Sequence, residues 1–231
     1  MKAKNIRGLY ALTPDLADTE KLCHLVKASL SGGASMVQYR NKLAGFDLRA
    51  EQVSALLKIS REHHIPLIIN DHLDLCLQLD ADGVHLGAED IGKHGNLAEA
   101  RQRLGGNKIL GVSCYNRFEL AQQAKVQGAD YVAFGACFES GTKPAAANAP
   151  LELISRARKE LNLPIVAIGG ITLDNAASAI KAGASSIAVI GALFSANNIQ
   201  LTALDVEAAA RKFSNLFNQN NHHDLTQSTV V

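Results

Sequence analysis

Eight short apolar runs divide the chain: Gly8–Thr13, Met36–Arg40, Pro66–Asp71, Gly83–Gly87, Lys108–Cys114, Tyr131–Ala136, Ile165–Gly170 and Ser186–Leu193. Most are nearly unbroken Val, Ile, Leu and Ala, the pattern of strands buried on both faces. The segments between them have helical spacing. Leu48, Val53, Leu56, Leu57 and Ile59 sit among Arg49, Glu51, Lys58 and Arg61, and Leu151, Ile154 and Leu161 among Glu152, Arg156 and Lys159. Thr172-Leu173-Asp174 reads as a helix start and Gly183 as its stop. One feature recurs every two strand–helix units. Gly33-Ala34-Ser35, Asp80-Ala81-Asp82-Gly83, Gly128-Ala129-Asp130 and Gly183-Ala184-Ser185 each lead into an even-numbered strand, where small residues let the chain turn tightly. Eight such units predict an α/β fold, a single-domain (β/α)8 TIM barrel, which typically takes about 250 residues. A doubly wound open sheet is the rival, and the even spacing favours closure. The barrel is expected over residues 1–217. The polar, aperiodic stretch 218–231 is expected to be a disordered tail.

Composition narrows the function. Of 231 residues, 47% are apolar and 19% charged, enough for a sizeable core. The net charge of +1 leaves no electrostatic footprint for nucleic acid or an acidic membrane surface. No apolar run approaches the roughly 20 residues of a membrane span, and Met1–Arg7 has no apolar segment behind it of the kind a secretory signal needs. Cys23, Cys76, Cys114 and Cys137 match no zinc spacing and read as reduced thiols of a cytoplasmic protein. Neither nucleic acid nor a membrane is an expected partner. A homo-oligomer stays open.

In a barrel, chemistry gathers where strands end. Gln38-x-Arg40-x-Lys42 places an amide and two cations on one face of an extended strand, an anion clamp in which Arg suits bidentate phosphate contact. A basic strand end emerging into solvent is the alternative. Asp71 and Asp90 follow the third and fourth strands. Two carboxylates beside a bound anion call for an intervening cation, and magnesium, with its hard oxygen ligands, is the natural choice. Both could instead be helix N-caps. Ser140-Gly141-Thr142-Lys143 opens a long loop able to wrap a phosphate. Gly169-Gly170 and Ile190-Gly191 end strands seven and eight, where barrels commonly bind phosphate. His85 reads as a satisfied core histidine, and Cys114 as lining rather than nucleophile. The sum is an enzyme joining a diphosphate ester to a phosphorylated acceptor.

These residues carry a family resemblance. Gln38-x-Arg40-x-Lys42, Asn70-Asp71, Asp82-Gly83-Val84-His85-Leu86-Gly87-x-Glu89-Asp90, Leu110-Gly111-Val112-Ser113, Thr142-Lys143-Pro144 and Ile168-Gly169-Gly170-Ile171 resemble the thiamine phosphate synthases from about Gly8 to Phe217. The resemblance implies a transferase that condenses 4-amino-2-methyl-5-hydroxymethylpyrimidine diphosphate with thiazole phosphate, giving thiamine phosphate and pyrophosphate. It implies that Gln38, Arg40, Lys42 and Asn70 hold the pyrimidine diphosphate, and that Ser113 and Lys143 contact the diphosphate. Asp71 and Asp90 would bind Mg2+, and Ser140, Thr142, Gly170, Ile190 and Gly191 the thiazole phosphate. Two residues depart from the pattern: Glu139 stands where Pro is common, and Gly191 where Ser is common. A related thiazole tautomerase-like isomerase is the alternative activity. It would need a His at the position of Ala136 and no metal aspartates. A thiamine-phosphate binder without turnover is the second alternative.

Overall fold

A computed structural model describes residues 6–87, 95–139, 149–194 and 201–227. Strands β1 Gly8–Leu12, β2 Ala34–Tyr39, β3 Leu67–Asn70, β4 Gly83–Leu86, β5 Ile109–Tyr115, β6 Tyr131–Phe134, β7 Ile165–Ile168 and β8 Ser186–Val189 run parallel. Each pairs with the next and β8 returns to β1, so the sheet closes into the expected barrel. Between and after them lie α1 Thr19–Ser31, α2 Phe46–Glu62, α3 Leu73–Gln78, α4 Leu97–Leu104, α5 Phe118–Val126, α6 Leu151–Glu160, α7 Ala176–Lys181, α8 Gly191–Phe194 and α9 Ala203–Gln227.

The unbroken apolar runs follow from closure. Side chains alternate across a strand, and here both sides are interior. Tyr10, Leu12, Met36, Ile68, Ile109, Tyr131, Ala133, Val166 and Ala188 fill the barrel itself. Leu9, Val37, Leu67, Ile69, Val84, Leu110, Val132, Ile165 and Ile187 face outward into the helical ring. Each such aliphatic side chain, fully buried, contributes roughly 1.5–3 kcal/mol. The last helix joins this ring through Val206, Ala210, Phe213 and Phe217, a stripe of buried residues at helical spacing. Gly32, at the end of α1, makes the approach to α9 close, since a Cβ there would sit 2.6 Å from that of Ala210.

The recurring motif before the even strands has a structural meaning: its last polar residue clips the start of the preceding odd strand. Ser35 donates to the carbonyls of Arg7 (2.6 Å) and Leu9 (3.1 Å). Asp82 accepts from the Leu67 amide (2.9 Å), Asp130 from that of Leu110 (2.8 Å), and Ser185 from that of Ile165 (3.4 Å). At the bottom rim, where sheet pairing begins, these side chains satisfy backbone groups that would otherwise lack a ladder partner.

Three boundaries differ from the sequence expectation. β2 stops at Tyr39, so Lys42 lies on a bend beyond it and not on a shared strand face with Gln38. The Ile190-Gly191 end of β8 turns at once into α8, with Ile190 C=O accepting from the Leu193 and Phe194 amides, so the strand does not reach Leu193. The chain past residue 218, expected to be disordered, continues α9 to Gln227. Extending a helix already nucleated and packed costs little, because each added residue gains one hydrogen bond.

Candidate active site

The polar residues of the strand ends collect on one rim, as the barrel demands. Gln38 is buried inside the barrel, Arg40 is half-buried just past β2, and Lys42 is exposed on the following bend. This corner is held by residues that strand periodicity does not reveal. Thr13 Oγ1 donates to Arg40 C=O (2.9 Å) and accepts from Arg40 N–H (2.8 Å), which ties the end of β1 to that of β2. Asp15 accepts from Arg40 Nη1 at 3.1 and 3.2 Å and from the Lys42 amide at 2.7 Å. Buried Asn41 caps the bend, its Oδ1 accepting from the amides of Leu43 and Ala44 and its Nδ2 donating to Leu16 C=O. The clamp therefore rests on a hydrogen-bonded bend rather than on a strand face.

At the end of β3, Asn70 Nδ2 donates to Asp71 Oδ2 (2.6 Å), and the Asp71 amide donates to His85 C=O (2.9 Å), which anchors it to β4. Asp71 adopts a left-handed backbone, φ 64°, a conformation Asp tolerates better than most residues. The N-cap of α3 is His72, so the helix-cap reading of Asp71 does not hold. Its carboxylate beside the Asn70 carboxamide offers hard oxygen ligands at the rim, the donor chemistry that magnesium prefers. Glu89 and Asp90 lie outside the described residues, as do Ser140, Thr142 and Lys143.

Ser113, near the end of β5, is half-buried and meets His85 Nε2 at 2.9 Å. His85 is buried, as expected, and its Nδ1 lies 2.9 Å from Tyr131 Oη. The Tyr131 hydroxyl pairs with that of Tyr10 (2.9 Å), and Gln38 Nε2 donates to Tyr10 Oη (2.8 Å). Five residues from five strands thus form one polar chain across the barrel, between two predicted substrate contacts. Gly111 creates the room for it, because a Cβ there would run into the Tyr131 ring.

On the opposite side of the rim, Gly170 has φ 64°, and a Cβ there would collide with the carbonyls of Phe138 and Glu139. β6 and β7 are pinned at that point by Cys137 N–H to Ile168 C=O (2.9 Å) and Phe138 N–H to Gly169 C=O (3.1 Å). Ile190 packs against the barrel interior, while Gly191 is exposed with nothing within 4 Å of where a Cβ would stand. Gly170 is therefore required by its backbone, and Gly191 is not required by space. Glu139 is exposed at the edge of the described segment. Burial pushes the Cys114 thiol up to about 12 and that of Cys137 to about 11, so neither supplies a thiolate near neutral pH. Among the described residues no cluster of three or more His, Cys, Asp or Glu could by itself hold a metal, and no helix is long and apolar enough to cross a membrane.

Comparisons with known proteins place the chain in a family of the same barrel fold. The family model described as thiamine monophosphate synthase matches residues 9–193. The chain is 55% identical over 213 residues to the thiamine-phosphate synthase of Methylobacillus flagellatus, covering 92% of this chain and 96% of that one. To the thiamine-phosphate synthase of Nitrosomonas eutropha it is 49% identical, covering 92% and 95%. Among solved structures, the thiamine phosphate pyrophosphorylase of Pyrococcus furiosus superposes with a TM-score of 0.78 at 32% identity, covering 93% of this chain and 97% of that one. With eight strands closed into a barrel, Gln38, Arg40, Asn70, Asp71 and Ser113 brought to one rim, and relatives matching nearly end to end, the chain belongs to the thiamine monophosphate synthase family of transferases.

Proposed function

We propose that this chain makes thiamine phosphate by joining the aminopyrimidine diphosphate to the thiazole phosphate, with its rim residues acting by position and charge rather than as nucleophiles. The observation that carries this reading is the convergence of Gln38, Arg40, Asn70, Asp71 and Ser113 from three strand ends, with no activated nucleophile among the described residues beside them.

The bond that breaks joins the exocyclic carbon of the pyrimidine to the diphosphate oxygen, whose electron pair leaves with pyrophosphate. The electron-rich aminopyrimidine delocalises the positive charge left on carbon, and the thiazole nitrogen then forms the new C–N bond. Gln38 and Asn70 orient the pyrimidine. Arg40, Lys42, Ser113 and Lys143 meet the negative charge that grows on the departing pyrophosphate. Losing one such preorganised contact costs about 2.7–4 kcal/mol of barrier, by analogy with an oxyanion donor. Asp71 and Asp90 would hold Mg2+, which when bound supplies charge neutralisation to the diphosphate. Gly170, Ile190 and Gly191, with Ser140 and Thr142, hold the thiazole phosphate across the rim. The isomerase alternative gains nothing from the site, since Ala136 stands where it would need a base.

The test is pyrophosphate release by purified protein given both substrates, with magnesium or with EDTA. Release should require both substrates and the metal, and should fall at least 100-fold in Asp71→Ala and Asp90→Ala, roughly the loss of one major electrostatic contact. Turnover that persists in EDTA, or in both variants, would remove the metal from this reading. Absence of release under every condition would remove the synthase activity itself.

A further inference from the structure

We propose that His85 is a positioning residue that sets the Ser113 hydroxyl as a hydrogen-bond donor to the diphosphate, through a one-way chain of hydrogen bonds from Gln38 to Ser113. The proposal rests on the reading above that Ser113 meets the diphosphate.

Proton counting sets the direction of the chain. A hydroxyl has one proton to give, and a neutral imidazole has one N–H and one acceptor nitrogen. Gln38 Nε2 donates to Tyr10 Oη at 2.8 Å. Tyr10 is buried, and its other hydroxyl contact is Tyr131 Oη at 2.9 Å, so its proton goes there. Tyr131 then gives its own proton to His85 Nδ1, also at 2.9 Å. That nitrogen is unprotonated, which places the imidazole proton on Nε2, the atom 2.9 Å from Ser113 Oγ. Ser113 accepts there and is left with its proton to give outward. The ligand makes the same demand from the other end: a diphosphate offers acceptors, so a serine that meets it must donate.

The geometry keeps the ring in place for this task. His85 lies stacked on Tyr131, centroids 5.6 Å apart and planes 21° from parallel, and Tyr10 meets Tyr131 edge-on at 6.1 Å. Every member of the chain sits on a different strand, so the barrel frame itself sets the spacing. Hydrogen bonds linked in series orient one another, and one missing member reverses or breaks the chain. The contact matters most as charge gathers on the leaving pyrophosphate, so its loss should fall on kcat more than on KM.

Two measurements test this. The first is 15N NMR of imidazole-labelled, unliganded protein, with the His85 signals assigned by their loss in His85→Gln. The expected state is a neutral ring with the proton on Nε2, and Tyr131→Phe, which keeps the ring and removes the hydroxyl, should weaken that preference. A proton on Nδ1, or an imidazolium at neutral pH, overturns the proposal. The second is kinetic. Ser113→Ala should lower kcat about 100- to 1,000-fold and His85→Gln at least about 10-fold, each with KM changed less than about threefold, and the double variant should be no worse than Ser113→Ala alone. Multiplying losses in the double variant overturn the proposal, because His85 would then act independently of Ser113. If the wild-type protein releases no pyrophosphate at all, the synthase reading fails while the NMR result still stands or falls by itself.

Discussion

Asp15 Oδ2 lies 3.1 Å from Arg40 Nη1, and the other oxygen of the same carboxylate accepts the Lys42 amide at 2.7 Å. One carboxylate thus aims the guanidinium and shapes the bend that carries the next cation. Both side chains of the ion pair are partly exposed, 21% and 30%, so its electrostatic worth is about 1 kcal/mol or less. Its value lies in orientation. Asp15→Ala should raise KM for the pyrimidine diphosphate about 3- to 10-fold with kcat little changed, and Asp15→Asn, which keeps an acceptor for the Lys42 amide, should raise it less. Steady-state kinetics with the pyrimidine substrate varied will decide. A KM unchanged in both variants would mean that the bend holds without the carboxylate.

Gly111→Ala should be strongly destabilising. The added methyl enters the space of the Tyr131 ring, and the rigid sheet leaves little room for relief. Overpacking of this kind costs about 1–3 kcal/mol, or more where backbone must move, which for a chain of this size lowers Tm by about 2–12 °C. Differential scanning calorimetry measures it. In a Tyr131→Leu background the same substitution should cost less, since the two sites share one space.

Gly191→Ser should fold as the parent does. No atom lies within 4 Å of the added Cβ, and the backbone there does not need glycine. The new hydroxyl at the start of α8 gives the thiazole phosphate one more donor, worth about 1 kcal/mol, so KM for that substrate should fall about fivefold. Melting curves and kinetics on the varied thiazole substrate test both halves of the expectation.

Alkaline pH should unfold the protein through its tyrosines. Burial pushes the Tyr39 hydroxyl up to about 12, and chiefly burial also drives Tyr10 and Tyr131 well above the usual tyrosine value. Below pH 10 these groups are protonated in both folded and unfolded chains, so their contribution to stability is fully present. As pH rises from 10 towards the folded values, only the unfolded chain releases protons. Stability then falls by about 1.4 kcal/mol per tyrosine for each pH unit. Tyrosinate absorbance from these three residues should therefore appear together with loss of circular dichroism. Ionisation of all the tyrosines with the fold intact would contradict the enclosed network.

The amino-acid sequence alone determined the architecture and the rim. Parallel strands covered on both sides are apolar on both faces, so eight nearly unbroken, evenly spaced runs in a chain of this length already favoured a closed α/β barrel over an open sheet. Because strand ends are where such strands turn polar, Gln38, Arg40, Asn70, Asp71 and Ser113 could be picked out by position. Even the motif before the even strands was visible, though its role as a clip was not. Tertiary structure decided what periodicity cannot carry. It ended β2 at Tyr39, since a bend organised by Asp15 and Asn41 competes there with strand pairing. It also joined Tyr10 to Tyr131, 121 positions away, and Tyr131 to His85. Each of these residues looks like ordinary core in its own strand. Only closure of the sheet turns their side chains toward one another, because a pattern along the chain reports which face is buried and not which distant partner shares it.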